Sequence, residues 1–225
     1  MAYTFGVSDF IAALGLSLSD WEPQSYNPVS TYKSGLAVGN RGEVLAETLF
    51  DQVTNYQLNL VAKADAISGD SIILGHGYTI VAAGLFFPTQ VVLAQPGADM
   101  ATLAITGHAH PGVTGTHVSN EFTITLPDAG FGLQGLPASI SGGSLADFMS
   151  FTHTASVQHT DKTTRAGAFL IGASYQCKIE QTMQMVDQAA SISAASGWKF
   201  PSDGTNEAIA YKTRSITLHK YQAHD

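Results

Sequence analysis

The sequence predicts an all-β protein, an antiparallel β-sandwich or partial barrel with short helices and extended arms. Three observations carry that prediction. Apolar and polar residues alternate with period two over several runs, the pattern of strands with one face buried and one wet. Clusters of Gly, Pro, Ser, Asn and Asp punctuate those runs. Helical signals are few and short. At 225 residues one core suffices, since all-β chains of ~200–250 residues often fold as one domain. The chain is therefore read as a single unit over residues 1–225, with arms at 1–50 and 186–207, which are irregular and rich in Ser, Pro and Gly.

Taken in order, Ser8 is placed to cap a short helix over residues 9–14, with Gly15 in the left-handed position after it. Residues 43–51 carry Val44, Leu45, Leu49 and Phe50 near helical spacing, yet suit a strand equally. Residues 55–63 put Tyr56, Leu58, Leu60 and Ala62 on one face. The apolar run 80–87 is strand-length, far short of the ~18 residues of a membrane span, so no membrane span is expected. Val91, Val92 and Leu93 form a further apolar run, and Leu103 with Ile105 a short strand before Gly107. Phe122, Ile124 and Leu126 alternate with threonines until Pro127-Asp128 ends the run. Residues 107–115 and 138–144 read as loops.

The clearest alternation is 149–159, with Met149, Phe151, His153, Ala155, Val157 and His159 on one face. A polar turn is expected over 160–167, then residues 168–172 and a second run, 174–185, with Tyr175, Cys177, Ile179, Met183 and Met185 alternating with polar neighbours. Two such runs around a turn predict an antiparallel pair. Residues 186–196 read as a weak helix or linker, and 208–221 as a strand with a bulge or with two working faces.

Charge narrows the function. Only 12% of residues are charged, and the formal net charge is −8, against ~25% charged in ordinary soluble domains. Residues 64–161 hold no Lys or Arg but seven acids. Grip on nucleic acid comes from Lys and Arg displacing counterions, so sequence-specific DNA or RNA binding is not expected. Cys177 is the only cysteine, so no internal disulfide can form. The stretch from Met1 to Asp9 has no basic residue before its apolar part, so it does not read as a secretory signal, and synthesis in the cytoplasm is expected.

His108, His110 and His117 are the most ligand-like cluster, since histidines two apart on a strand share a face. Pro111-Gly112 and Gly115 make the segment a loop, and the nearest carboxylates in sequence are Asp99 and Glu121. These histidines are read as structural, and no metal or other cofactor is expected. His153 and His159 read as half-buried side chains satisfied by a backbone or hydroxyl partner. Gly69-Asp70-Ser71 matches the opening of the Gly-Asp-Ser-Leu esterase motif. No Asp-x-x-His follows to supply the base, so a turn into a strand is expected. Gly130 to Gly135 fits Gly-x-Gly-x-x-Gly, but Pro137 and Gly142-Gly143 forbid the helix a dinucleotide site needs. Cys177 sits on an apolar face and is read as inert. No catalytic residue is assigned and no enzyme activity expected. Sugar stacking would fall to Trp21 and Trp198, the two tryptophans.

Four segments, 103–110, 121–126, 150–161 and 166–175, together resemble the layout of structural proteins of tailed-bacteriophage virions, tail-tube proteins in particular. The resemblance covers about residues 101–185 and rests on a polar-faced strand, a turn and a glycine-bearing return strand. It implies a β-sandwich or partial barrel whose copies form hexameric rings, stacked into a hollow tube that passes DNA without binding it. It implies a virion location, the partners being further copies and other virion proteins, and an acidic lumen that suits the base-free middle of this chain. Capsid-decoration and head–tail connector proteins share similar folds, and a carbohydrate-binding β-sandwich is the alternative outside virions.

Overall fold

The computed structural model describes residues 7–114, 118–164, 168–186, 192–207 and 212–223. One short helix, α1 (Val7–Ala13), precedes β1 (Trp21–Val38), β2 (Val44–Ala62), β3 (Ala66–Ile67), β4 (Ser71–Leu74), β5 (Tyr78–Ile80), β6 (Gly84–Pro96), β7 (Thr102–His110) and β8 (Val118–Ser119). Then come β9 (Phe122–Thr125), β10 (Ala129–Gly130), β11 (Ile140–Ser141), β12 (Phe148–Thr163), β13 (Phe169–Val186), β14 (Ser193–Ala194), β15 (Lys199–Glu207) and β16 (Lys212–Gln222). A 3-10 turn, Leu145–Asp147, precedes β12. The fold is all-β and sandwich-like, as expected.

One large sheet runs β1-β2-β7-β6-β12-β13-β16-β15, antiparallel at every step of that path. The pairs β4–β9 and β3–β10, together with α1, supply the second layer. Period-two alternation turns Leu58 and Leu60 of β2, Leu103 and Ile105 of β7, and Val91 and Leu93 of β6 inward. They meet Ile72, Leu74, Phe122 and Ile124 of the small sheet. Phe10 of α1 is fully buried, with its ring 5.0 Å from both Tyr56 and Phe86 and 5.7 Å from Tyr26. Trp21 is buried too, and its indole N–H donates to Asp70 Oδ2 at 2.8 Å. A second cluster, Phe148, Phe151, Met183, Met185, Ile216 and Leu218, lies under the β11–β14 pair.

Several expectations shift. α1 is already helical at Val7, so Ser8 lies inside it and caps nothing. Its C-terminus is as read: Gly15 has φ +76° and its N–H reaches Ala12 O, while Leu16 N–H reaches Ile11 O, the paired bonds that close a helix end. Residues 43–51 fall in β2 from Val44 onward, not in a helix. The apolar run 80–87 is broken by a turn closed from Ala83 N–H to Ile80 O, which leaves Val81 almost wholly exposed. The segment 160–167 is not all turn. β12 continues to Thr163, and the chain reverses between Thr164 and Ala168.

Two irregularities reverse side-chain faces. A register shift between Phe148 and Ser150 turns Phe148 inward where Met149 was expected. On β13, Gln176 takes φ +53° at another register shift, so Ser174 is buried and Tyr175 exposed. Both bulges spare β12 and β13 a continuous ladder while keeping Cys177, Ile179, Met183 and Met185 in the core.

The expected arm at 1–50 divides. α1 and Trp21 belong to the body, and what projects is the far end of the β1–β2 hairpin. β2 pairs with β7 only over residues 54–61. Past Ser30, opposite Thr54, the hairpin continues to Val38 with no third strand of the described residues beside it, roughly 27 Å at ~3.4 Å per residue. Its tip is a tight turn with Gly42 N–H on Gly39 O, Gly39 N–H on Glu43 O, and Gly42 at φ +82°. Of the second expected arm, 186–207, residues 187–191 lie outside the described residues, and its end forms the edge strand β15.

Candidate functional site

Two features stand apart from ordinary core and surface: the projecting hairpin and a cluster of ionisable side chains near its root. The hairpin exposes apolar side chains on both strands. Val29, Tyr32, Leu36, Val38, Val44 and Leu45 are all between 51 and 66% exposed. Pro23 and Pro28 interrupt hydrogen bonding along β1 beside the body, as proline does on edge strands, whereas residues 29–38 contain none. At the opposite end of the sheet β15 is the other edge. A sheet with two unlike open edges and an apolar hairpin offers both a donor and an acceptor surface for another sheet.

The cluster begins on β7. The Gly107–Gly115 segment read as loop is strand as far as His110, so His108 and His110 lie two apart on one face. His117, the third histidine, lies outside the described residues. What joins the first two comes from β12: Asp161 and His159. Ladder pairing between β6 and β12 ends at Gln90 opposite Ser156. Past that point β12 still follows β13, with His159 opposite Ser174 and Asp161 opposite Gly172. Side chains of β7 and β12 fill the fork between the strands.

At its centre, Asp161 Oδ2 lies 3.0 Å from His110 Nε2 and 2.9 Å from His108 Nε2, and Oδ1 lies 2.9 Å from His159 Nε2. Ser174 Oγ–H donates to His159 Nδ1 at 2.7 Å. That bond leaves the His159 Nε2–H to donate to the carboxylate. His110 likewise makes a hydrogen bond. His108 Nε2 is buried close to Asp161 Oδ2, but off the direction a hydrogen bond requires. His110 and His159 side chains are 3% exposed, His108 14% and Asp161 20%. The ring of Phe87 stands 4.7 Å from that of His159, and Phe169 4.2 Å from that of His110, so aromatic carbon walls the group.

Burial alone would raise the Asp161 pKa. The adjacent imidazoles of His108, His110 and His159 outweigh it and hold the carboxyl well below its usual range. Glycine at 172 leaves room for the His159 ring, since a Cβ there would sit 2.6 Å from His159 Nε2 and push the ring aside. A cavity of about 170 Å³ adjoins the cluster, lined by His110 and Asp161 with Thr31, Tyr32, Lys33 and Val53 of the hairpin root.

The other sequence candidates are dispersed. His153 is buried, accepts from Gln181 Nε2 at its Nδ1 (2.9 Å), and leaves its own Nε2 and Gln181 Oε1 without partners. Burial, helped by Lys220, lowers its pKa to about 4. Ser71 opens β4 opposite Thr125, as expected, but the three residues before it are extended chain and not a turn. Gly130 belongs to β10, and no α-helix of the described residues follows it. Cys177 is fully buried. Trp21 is locked in the core, while Trp198 is half-buried with Lys220 Nζ 5.0 Å over its ring. Trp198 also borders a cavity of about 690 Å³, together with His153, Gln181, Leu126 and Lys220.

Sequence reasoning missed Asp161 and the union of His159 with His108 and His110. The available signal was the pair His159-x-Asp161, which repeats the two-residue spacing of His108-x-His110. Comparison with known proteins yields no match, either to a family model or to a curated sequence.

Proposed function

We propose that the protein is a structural subunit of a tailed-phage particle. Its copies close into a hexameric ring, and stacked rings form the hollow tail tube through which DNA passes. The observation that supports this reading best is the β1–β2 hairpin, which projects from the body with apolar side chains on both strands and no third strand of the described residues beside it. The partner is a second copy: an exposed apolar hairpin of this length needs a surface to cover it, and the unlike edges β1 and β15 suit head-to-tail contacts, which close into rings. The acidic, base-free stretch 64–161 suits a lining that lets DNA slide.

Purified protein should give rings or tubes by negative-stain imaging and mass-resolved light scattering over a concentration series. The paired change Leu36→Ser and Leu45→Ser should abolish them and leave a folded monomer. A wild-type chain that stayed monomeric with an assembly initiator from the particle present would overturn the reading. A single ring, or trimers seated on a capsid, would move the chain to a connector or decoration role.

One observation favours a second reading, a carbohydrate-binding sandwich: the 690 Å³ cavity bordered by Trp198 and the unpartnered polar atoms of His153 and Gln181. Oligosaccharide binding lost in Trp198→Ala would support it.

A further inference from the structure

We propose that His108, His110 and Asp161 form a binding site for a divalent transition-metal ion, which fastens β7 to β12 at the root of the projecting hairpin. The inference stands whether or not the chain assembles.

Four observations carry it. The donor set is two imidazole nitrogens and a carboxylate oxygen, which suits Zn²⁺ and its first-row neighbours. The three atoms already converge, all within 4.8 Å of one another. Ligand atoms on a tetrahedral Zn²⁺ stand about 3.3 Å apart, given bonds of ~2.0–2.1 Å. His108 and His110 lie 2.9 and 3.0 Å from Asp161 Oδ2, so small side-chain rotations open the site. Third, His108 Nε2 is buried 2.9 Å from Asp161 Oδ2 without the geometry of a hydrogen bond to it. As a purely hydrogen-bonded cluster the arrangement leaves this nitrogen unsatisfied, a costly state, whereas an ion between it and Oδ2 would use its lone pair.

Finally, the surroundings orient the ligands as outer-shell groups do at metal centres. His159 donates to the free oxygen, Oδ1, and is itself held by Ser174. His159 is a positioning residue here. The 170 Å³ cavity beside His110 and Asp161 has room for water to complete the coordination. Because two ligands come from β7 and one from β12, a bound ion would tie those strands together.

The test is calorimetric titration of Zn²⁺ into metal-depleted full-length protein, with melting temperature and Co²⁺ absorption as second readouts. One Zn²⁺ per chain, a raised melting temperature and visible Co²⁺ bands are expected. His108→Asn and Asp161→Asn should each abolish stoichiometric binding, and His159→Gln should weaken it roughly 10–100-fold. His76→Asn, at the separate His76–Glu121 pair, should leave the affinity unchanged. Should the cluster variants not fold, NMR of the unmutated protein decides: Co²⁺ must shift the ring signals of His108 and His110 selectively. No stoichiometric binding, unshifted rings, or wild-type affinity in a folded His108→Asn variant would each overturn the site.

Discussion

Leu58 and Leu45 lie on the same strand, yet Leu58 is 1% exposed and Leu45 66%. The hairpin that carries both is one continuous β ribbon with two environments. Near the body, β2 pairs with β7 and its inner face is covered by α1 and the small sheets. Beyond Thr54 the ladder to β7 ends, and no strand among the described residues takes its place. Alternation along a strand therefore defines a face, and only the second layer decides whether that face is inside. Apolar side chains retained where this chain supplies no cover are available to another chain.

Substitutions can break that contrast by degrees. The largest effect belongs to Phe10→Ala, which empties the aromatic cage beneath α1 and should cost about 3–5 kcal/mol, measured as a lowered urea midpoint. Acidification comes next. His153 has its pKa lowered from 6.5 to about 4, so as the pH falls the unfolded chain takes up the proton first. Stability present above pH 6.5 should be lost progressively down to about pH 4, in total about 3 kcal/mol. A His153→Leu variant should show a flatter acid limb; an unchanged limb would contradict this assignment.

Within the ribbon itself, Leu58→Ala should cost about 2–5 kcal/mol by leaving a cavity. Leu45→Ala should stay within ~0.5 kcal/mol, as exposed positions do. Equal losses at the two sites would mean that the arm packs on its own body in solution. Gly172→Ala is the most local change. It should displace the His159 ring, visible as shifted imidazole NMR signals, while the core around Leu58 keeps its hydrogen-exchange protection.

The fold class and the strands with one buried face were legible because burial there follows period two: Tyr56 to Ala62, Phe122 to Leu126, Phe151 to Val157. Bulges were not, since Gln176 and the shift beside Phe148 carry no compositional mark, and each reverses the face of its neighbours. Asp161 was hidden for a related reason. The stretch from Thr160 to Thr163 is polar like a turn, but it is held extended by its pairing with residues 169–173 across the hairpin, so the strands run further than composition suggests. The histidines were visible as a motif. Their carboxylate, fifty-one residues past His110, was visible only once the sheet order brought β7 and β12 to one fork.

The short register between β2 and β7 also fixes how the ribbon would carry load. Inter-strand hydrogen bonds lie perpendicular to antiparallel strands, and the pairing over residues 54–61 is the hairpin's ladder to the rest of the sheet. A pull along the ribbon therefore shears all those bonds together, whereas a sideways pull peels them one after another. The molecule is strong along the axis of its projection and weak across it.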